Sequence, residues 1–149
     1  MQLTFPFQGR FPDEFTCRGA NVSPPFSWNS VPGAKAYALT VEDPDAPSGT
    51  FVHWVLYDVE GGKTSLPRSV PKRDRVQGIG IQGVNDFGNI GYDGPCPPRG
   101  HGDHRYFFTL YALSVATGLP PGVDAKRLKQ AIGSLILDKG EFVAVYSRT

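Results

Sequence analysis

Charge is scarce in this chain, and long apolar runs are missing. Only 19% of its 149 residues are charged, and Lys+Arg 15 against Asp+Glu 14 leaves +1 with the histidines neutral. A protein that grips nucleic acid by neutralising phosphates needs a basic arm or face, and the sequence contains none. The excess of one sign that marks a disordered tail is equally absent. No stretch approaches the roughly 18 apolar residues of a membrane span. The opening Met1-Gln2-Leu3-Thr4-Phe5-Pro6-Phe7 has neither the basic start nor the apolar stretch of a signal peptide. Cysteine is limited to Cys17 and Cys96, far apart and in no CxxC pair. Two isolated thiols suit a reducing compartment better than a disulfide scaffold, so the cytoplasm is the expected location.

Breakers, by contrast, are plentiful. Gly 18 and Pro 14 make up about a fifth of the chain, more than a helical bundle tolerates. The length suits one domain, residues 1–149, around a single core. Ala36 to Glu42 and Phe51 to Val59 read as strands, being short, apolar and rich in β-branched or aromatic residues. His104 to Val115 is the clearest strand of all. Residues 61–103 form a long region rich in Gly, Pro, Asn and Asp, the kind that usually carries a binding surface or a lid. One helix is predicted after Pro120-Pro121-Gly122, capped by Asp124, with Leu128, Ile132, Leu135 and Ile136 at helical spacing. Lys139-Gly140 then reads as a turn into a last strand, Glu141 to Arg148. The expected class is mainly β and antiparallel, with one or two short helices.

Three stretches place polar groups where a β core would not. In Asp43-Pro44-Asp45-Ala46-Pro47-Ser48-Gly49 a strand runs into two carboxylates on a proline-stiffened backbone. They either cap a rigid strand exit or line a pocket; Ala46–Pro47 is a candidate cis bond. His53 lies among strand apolars, and alternation puts it with Phe51, Val55 and Tyr57, and Trp54 with Val52 and Leu56. The third stretch, Gly94-Pro95-Cys96-Pro97-Pro98-Arg99-Gly100, is a stiff loop in which Gly94 and Gly100 permit close approach of another group. Its Cys96 has the one backbone N–H between Pro95 and Arg99, a donor that can be aimed at an anion. In the strand that follows, His104 and Tyr106 share a face, and Arg105 turns away to tether an aspartate of the first stretch, at least half-buried. Singly, each feature favours a structural role. Together, if the strands are neighbours, they outline one pocket whose imidazoles, phenol and amide suit a phosphate or carboxylate. The carboxylates are expected to hold the histidines as donors and raise their pKa values.

This combination resembles the phosphatidylethanolamine-binding protein family, in particular its bacterial and archaeal Raf-kinase-inhibitor-like branch. The resemblance is carried by Ser23-Pro24-Pro25 with Trp28, Asp43-Pro44-Asp45-Ala46-Pro47, His53-Trp54, Asn85-Asp86-Phe87-Gly88 with Gly91-Tyr92, Gly94-Pro95-Cys96-Pro97-Pro98, and His104-Arg105-Tyr106-Phe107-Phe108. It implies a β-sandwich-like fold, a large central sheet packed on a smaller one with peripheral helices. It also implies an anion pocket on Asp43, Asp45, Pro47, His53, Gly94, Cys96, Pro98, His104 and Tyr106. The eukaryotic proteins usually carry glycine at the position of Cys96, and many have a longer C-terminal helix than this chain has room for.

The leading functional expectation is a non-catalytic module for a small anionic or phosphorylated ligand, acting through a protein partner where one exists. The resemblance also allows a protease or kinase inhibitor working by surface contact, and a homodimer. A hydrolase with Cys96 as nucleophile beside His104 ranks below both. No cofactor or metal is expected. His101 and His104 are three apart, but Gly102-Asp103 between them reads as turn, not as a helical ligand pair.

Overall fold

The aromatic and β-branched runs become long strands, and the Gly/Pro-rich segments become what joins them. The structure, a computed structural model, describes all 149 residues. In chain order its strands are β1 (Leu3–Thr4), β2 (Phe26–Trp28), β3 (Ala36–Asp43), β4 (Phe51–Glu60), β5 (Ser65–Leu66), β6 (Arg75–Val76), β7 (Gly80–Gln82), β8 (His104–Leu113) and β9 (Ile136–Tyr146). One helix, α1 (Ala125–Ile132), and a 3-10 turn at Asp13–Phe15 complete the elements. The large sheet runs β6-β7-β4-β3-β8-β9 and the small one β1-β2-β5. All strand pairings are antiparallel. The expected mainly β, two-sheet architecture is what forms.

The main core lies between the sheets and is largely aromatic. Phe5 stacks on Phe26 with ring centroids 4.5 Å apart and meets Phe108 edge-on at 4.9 Å. Each such ring taken out of water contributes about 1.5–3 kcal/mol. Trp54 is fully buried there, and its indole donates to Gln82 Oε1 at 2.7 Å. Gln82 in turn donates to the carbonyls of Pro71 and Arg73, so no buried polar atom of that pair is left unmatched. On the opposite face α1 lays Leu128 and Ile132 over Ala38, Val55 and Tyr57. Asp124 caps it as expected, accepting from the Arg127 N–H at 2.8 Å.

The end of the chain departs from the sequence reading. The helix stops at Ile132, so Leu135 and Ile136 lie outside it, and Ile136 already opens β9. Lys139-Gly140 is not a turn: Gly140 sits in mid-strand opposite Leu110. A side chain there would meet the Met1 carbonyl at 2.7 Å, so the glycine makes room for the N-terminus. Ala46–Pro47 is trans, since the chain has no cis peptide bond.

Strict alternation also fails in β4, in a way that shapes the functional end of the sheet. Val41 pairs with Trp54 but Glu42 pairs with Val52, which leaves His53 as an extra, bulged residue. Val52 and Val55 therefore both pack on the helix side, while Trp54 and Leu56 enter the main core. The expected grouping of His53 with Val55 and Tyr57, and of Val52 with Trp54, is corrected accordingly. A second bulge falls at Asp58, whose φ of 52° lies in the left-handed region. Its carboxylate accepts the N–H groups of Thr117 and Gly118, which holds this conformation.

The two cysteines are not free thiols. Cys17 and Cys96 form a disulfide with Cα atoms 5.4 Å apart. Distance along the chain hid this proximity. The 13–21 segment folds back on the proline loop through Tyr92 Oη to the Phe15 carbonyl (2.6 Å), the Gly94 N–H to Asn21 Oδ1 (2.8 Å) and the Cys17 N–H to the Pro95 carbonyl (3.1 Å). Replacing both cysteines by serine is expected to lower the unfolding free energy by about 2–4 kcal/mol in chemical denaturation. Unreduced native protein should titrate with no free thiol; an unchanged denaturation midpoint in the double variant would count against a structural role for the bond.

Candidate functional site

Antiparallel pairing brings the chemistry to one end of the large sheet. Asp43 closes β3, His53 lies near the start of β4, and His104 opens β8, with β3 lying between the other two. A cavity of about 250 Å³ opens there. Asp43, Pro47, His53, Cys96, Pro98, His104 and Tyr106 line it, joined by Ala46, Ser48, Phe51, Phe87 and Pro97. Seven of the nine expected residues thus meet.

The other two serve the frame. Asp45 accepts from Arg105 three times: the backbone N–H at 2.8 Å, Nε at 2.9 Å and Nη2 at 2.9 Å. That fork ties the 44–50 hairpin to the start of β8 and holds the Asp45 carboxyl down at about 2. The tether expected of Arg105 is therefore present, although the arginine is exposed, not half-buried. Gly94 is buried with its N–H spent on Asn21. A side chain there would strike the Phe15 carbonyl, so the close approach it permits is to the chain's own backbone, not to a ligand.

The two pocket histidines differ. His53 is buried, and its Nδ1–H donates to the Asp93 carbonyl at 2.7 Å. Burial pushes its pKa below the ordinary value, outweighing that hydrogen bond and the nearby Asp43 and Asp93 carboxylates. The expected upward shift is thus reversed, and Nε2 is left as a bare acceptor. His104 is also buried, and both its nitrogens are engaged: Nδ1 with Asp43 Oδ2 at 2.7 Å, and Nε2 with His101 Nδ1 at 2.6 Å. Gly102-Asp103 is non-helical, as expected, and Gly102, with a φ of 87°, lets the two rings come together as a hydrogen-bonded pair. Asp43 spends its other oxygen on the Asp45 N–H at 2.7 Å. The Tyr106 hydroxyl, the Ser48 hydroxyl and the Cys96 amide have no partner in the chain, so these lining residues carry free donors. No three His, Cys, Asp or Glu side chains are grouped as metal ligands.

Sequence reasoning missed Asp93 and the loop before it. Asp86 exchanges two hydrogen bonds with Val52, N–H to carbonyl at 2.8 Å and Val52 N–H to Oδ2 at 2.7 Å. Asp93 does the same for His53 through its own N–H and carbonyl. This loop thereby replaces a neighbouring strand beside the bulge. Burial raises the Asp93 carboxyl, but donors from Asn89, Asn85 and Lys72 outweigh it and hold it low. Asn85 Oδ1 also accepts from Phe87 and Asn89 N–H, and the tightened loop sets Phe87 against Phe51 and His53 at 4.8 and 5.5 Å. The Asn85-Asp86-Phe87-Gly88 motif was the available signal.

A two-sheet β domain with a small pocket at one end of its larger sheet is a recognisable class. The family model described as "Phosphatidylethanolamine-binding protein" matches residues 2–147. The chain belongs to that family. It is 48% identical to a UPF0098 protein of Aquifex aeolicus (92% of this chain, 81% of the relative) and 44% identical to one of Methanothermobacter thermautotrophicus (95% and 93%). A mycobacterial relative, LppC of Mycobacterium tuberculosis, provisionally named a lipoprotein, is 41% identical over 91% of this chain and 65% of its own length. Among solved structures, the phosphatidylethanolamine-binding protein homolog CT736 of Chlamydia trachomatis superposes with a TM-score of 0.85 at 34% identity, covering 99% of this chain and 97% of that one. YbcL of Escherichia coli, described as a member of the mammalian PEBP family, gives 0.88 at 29%, covering 99% and 98%.

His53 makes a pH prediction with a definite sign. Its folded pKa lies below the ordinary 6.5, so as pH falls the unfolded chain binds the proton first. Its contribution is complete above about 6.5 and is lost below it, at no more than about 1.4 kcal/mol per pH unit. His53→Asn keeps a donor for the Asp93 carbonyl but cannot titrate, so its stability should fall less between pH 7 and 5. Equal slopes for the two proteins would show that His53 is not the group responsible.

Proposed function

We propose that the cavity binds a small ligand bearing a phosphate or carboxylate group, and that the protein works by binding rather than by catalysis. The carrying observation is the convergence of the Tyr106 hydroxyl, the Cys96 amide and the bare His53 Nε2 on one hollow of about 250 Å³. Burial, with Asp43 and Asp45 adding to it, raises the Tyr106 pKa, which keeps the phenol a donor at any physiological pH. An anion between these groups would favour protonation of His53, adding a charged hydrogen bond that the free protein lacks. The size falls just below that of drug-sized pockets, in keeping with a small head group. The family's description names a lipid whose head group carries a phosphate, which agrees in chemistry.

The hydrolase reading loses its nucleophile, because Cys96 is held in the disulfide. Asp43 has both oxygens committed to Asp45 and His104, which suits a positioning role better than general base work. The argument for a cytoplasmic location rested on free thiols and falls away with them. An oxidising compartment fits the bond better, and no helix here is long and apolar enough to cross a membrane.

Calorimetric titration with inorganic phosphate, phosphoethanolamine and sulfate tests the reading. Tyr106→Phe should weaken binding by about tenfold or more, the usual worth of a hydrogen bond to a charged group. Sulfate does not titrate near neutrality, so its affinity should rise as pH falls from 7.5 to 6, with proton uptake by His53. Failure of the folded wild-type protein to bind any of the three saturably would sink the proposal.

A further inference from the structure

His101 does not line the cavity, yet it holds the nitrogen of His104 that a ligand would need. A carboxylate only accepts, so His104 Nδ1 must carry the proton it shares with Asp43 Oδ2. Nε2 is then the ring's one nitrogen left for a ligand, and His101 Nδ1 occupies it at 2.6 Å, with ring centroids 4.8 Å apart. This is true of either proton arrangement. A neutral His104 accepts from His101, and a charged one donates to it.

Resting on the anion-pocket reading, we propose that His101 is an internal plug, an imidazole that a bound anion displaces from His104 Nε2. The surroundings leave the His101 side chain room to move. His101 is exposed and flanked by Gly100 and Gly102, whose φ values of 74° and 87° lie where glycine is favoured. A Cβ at either glycine would meet nothing within 4 Å, so the space beside the ring is open. The segment is anchored on both sides of His101: the Gly100 N–H donates to the Arg148 carbonyl at 2.9 Å, and Asp103 receives Arg10 Nη2 at 3.2 Å. The His101 N–H also donates to the Pro98 carbonyl at 3.1 Å, so release comes from rotation of the His101 side chain about its own torsions, with the loop backbone held. His104 is fixed by Asp43 and by its place in β8, so it stays. The plug makes His101 a determinant of affinity although it touches no ligand in the closed state.

The test uses inorganic phosphate and the variants His101→Ala and His101→Asn, neither of which alters a cavity-lining residue. Losing one competing hydrogen bond should tighten phosphate binding by roughly fivefold in His101→Ala. Unchanged or weaker binding overturns the plug; weaker binding would make His101 a ligand contact instead. A second readout is independent of any ligand. Histidine-labelled protein should show a nitrogen–nitrogen coupling across the His101–His104 hydrogen bond that vanishes in His101→Ala. Absence of that coupling in the free protein overturns the plug alone, whether or not phosphate binds, whereas its presence in a protein that binds no anion condemns the pocket reading and the plug with it. Addition of phosphate should abolish the coupling in the wild type, and a coupling that survives saturation also overturns the proposal.

Discussion

The carboxylate of Asp43 ties the exit of β3 to the entry of β8 just beyond the last residue pair of their ladder. One oxygen takes the Asp45 N–H and fixes the exit of β3; the other takes His104 and fixes the entry of β8. Buried as it is, an Asp43 without these partners would carry an unmatched charge, at a cost of several kcal/mol. The cavity follows from meeting that demand. His104 can be oriented only if β8 lies beside β3 in the observed register, and that register also brings Tyr106 to the same face. The Asp45–Arg105 fork then clamps the same two segments from the solvent side. Being exposed, it contributes geometry more than stability.

The second constraint is the extra residue in β4. A regular ladder would have put His53 and Trp54 on opposite faces; the bulge lets Trp54 fill the core while His53 stays at the cavity. Such a break leaves backbone groups without ladder partners, and the 85–93 loop supplies them through Asp86 and Asp93. The loop that satisfies the bulge also carries Phe87 to the cavity wall and points a carbonyl at His53. Here backbone bookkeeping and site geometry are the same problem.

The long strands, the capped helix and the convergence of Asp43, His53, His104 and Tyr106 were legible because they rest on local pattern and on motifs with stiff backbones. What was not legible depends on contacts between distant segments. The Cys17–Cys96 pairing, the burial that lowers the His53 pKa and the room Gly140 makes for Met1 are set by which segment packs beside which, and residue spacing carries no record of that. Asp45 and Gly94 show the same limit from the other side: both belong to the motifs that mark the site, but their work is to hold it together. The bulge was hidden because alternation is an assumption of regularity, and one inserted residue reverses every assignment beyond it.

The cavity has one stiff wall and one hinged edge, and this asymmetry bears on how it would choose ligands. Prolines 95, 97 and 98 together with the disulfide hold the Cys96 amide in place, so that donor is set before anything binds. Tyr106 and His53 are locked in strands. A pre-set wall selects for shape, because misplaced acceptors cannot draw the donors toward them. The edge beyond His104 is different: two glycines flank a side chain that already satisfies the imidazole. There His104 Nε2 is not an open hydrogen-bonding position but half of a closed pair, and a ligand gains only the difference between its own bond and the one it replaces. Small neutral molecules gain little from that exchange. A full negative charge gains most, because a hydrogen bond to an ionised acceptor is roughly twice as strong as one to a neutral acceptor. Discrimination between charged and uncharged ligands would therefore arise at the hinged edge, and discrimination among anions at the rigid wall.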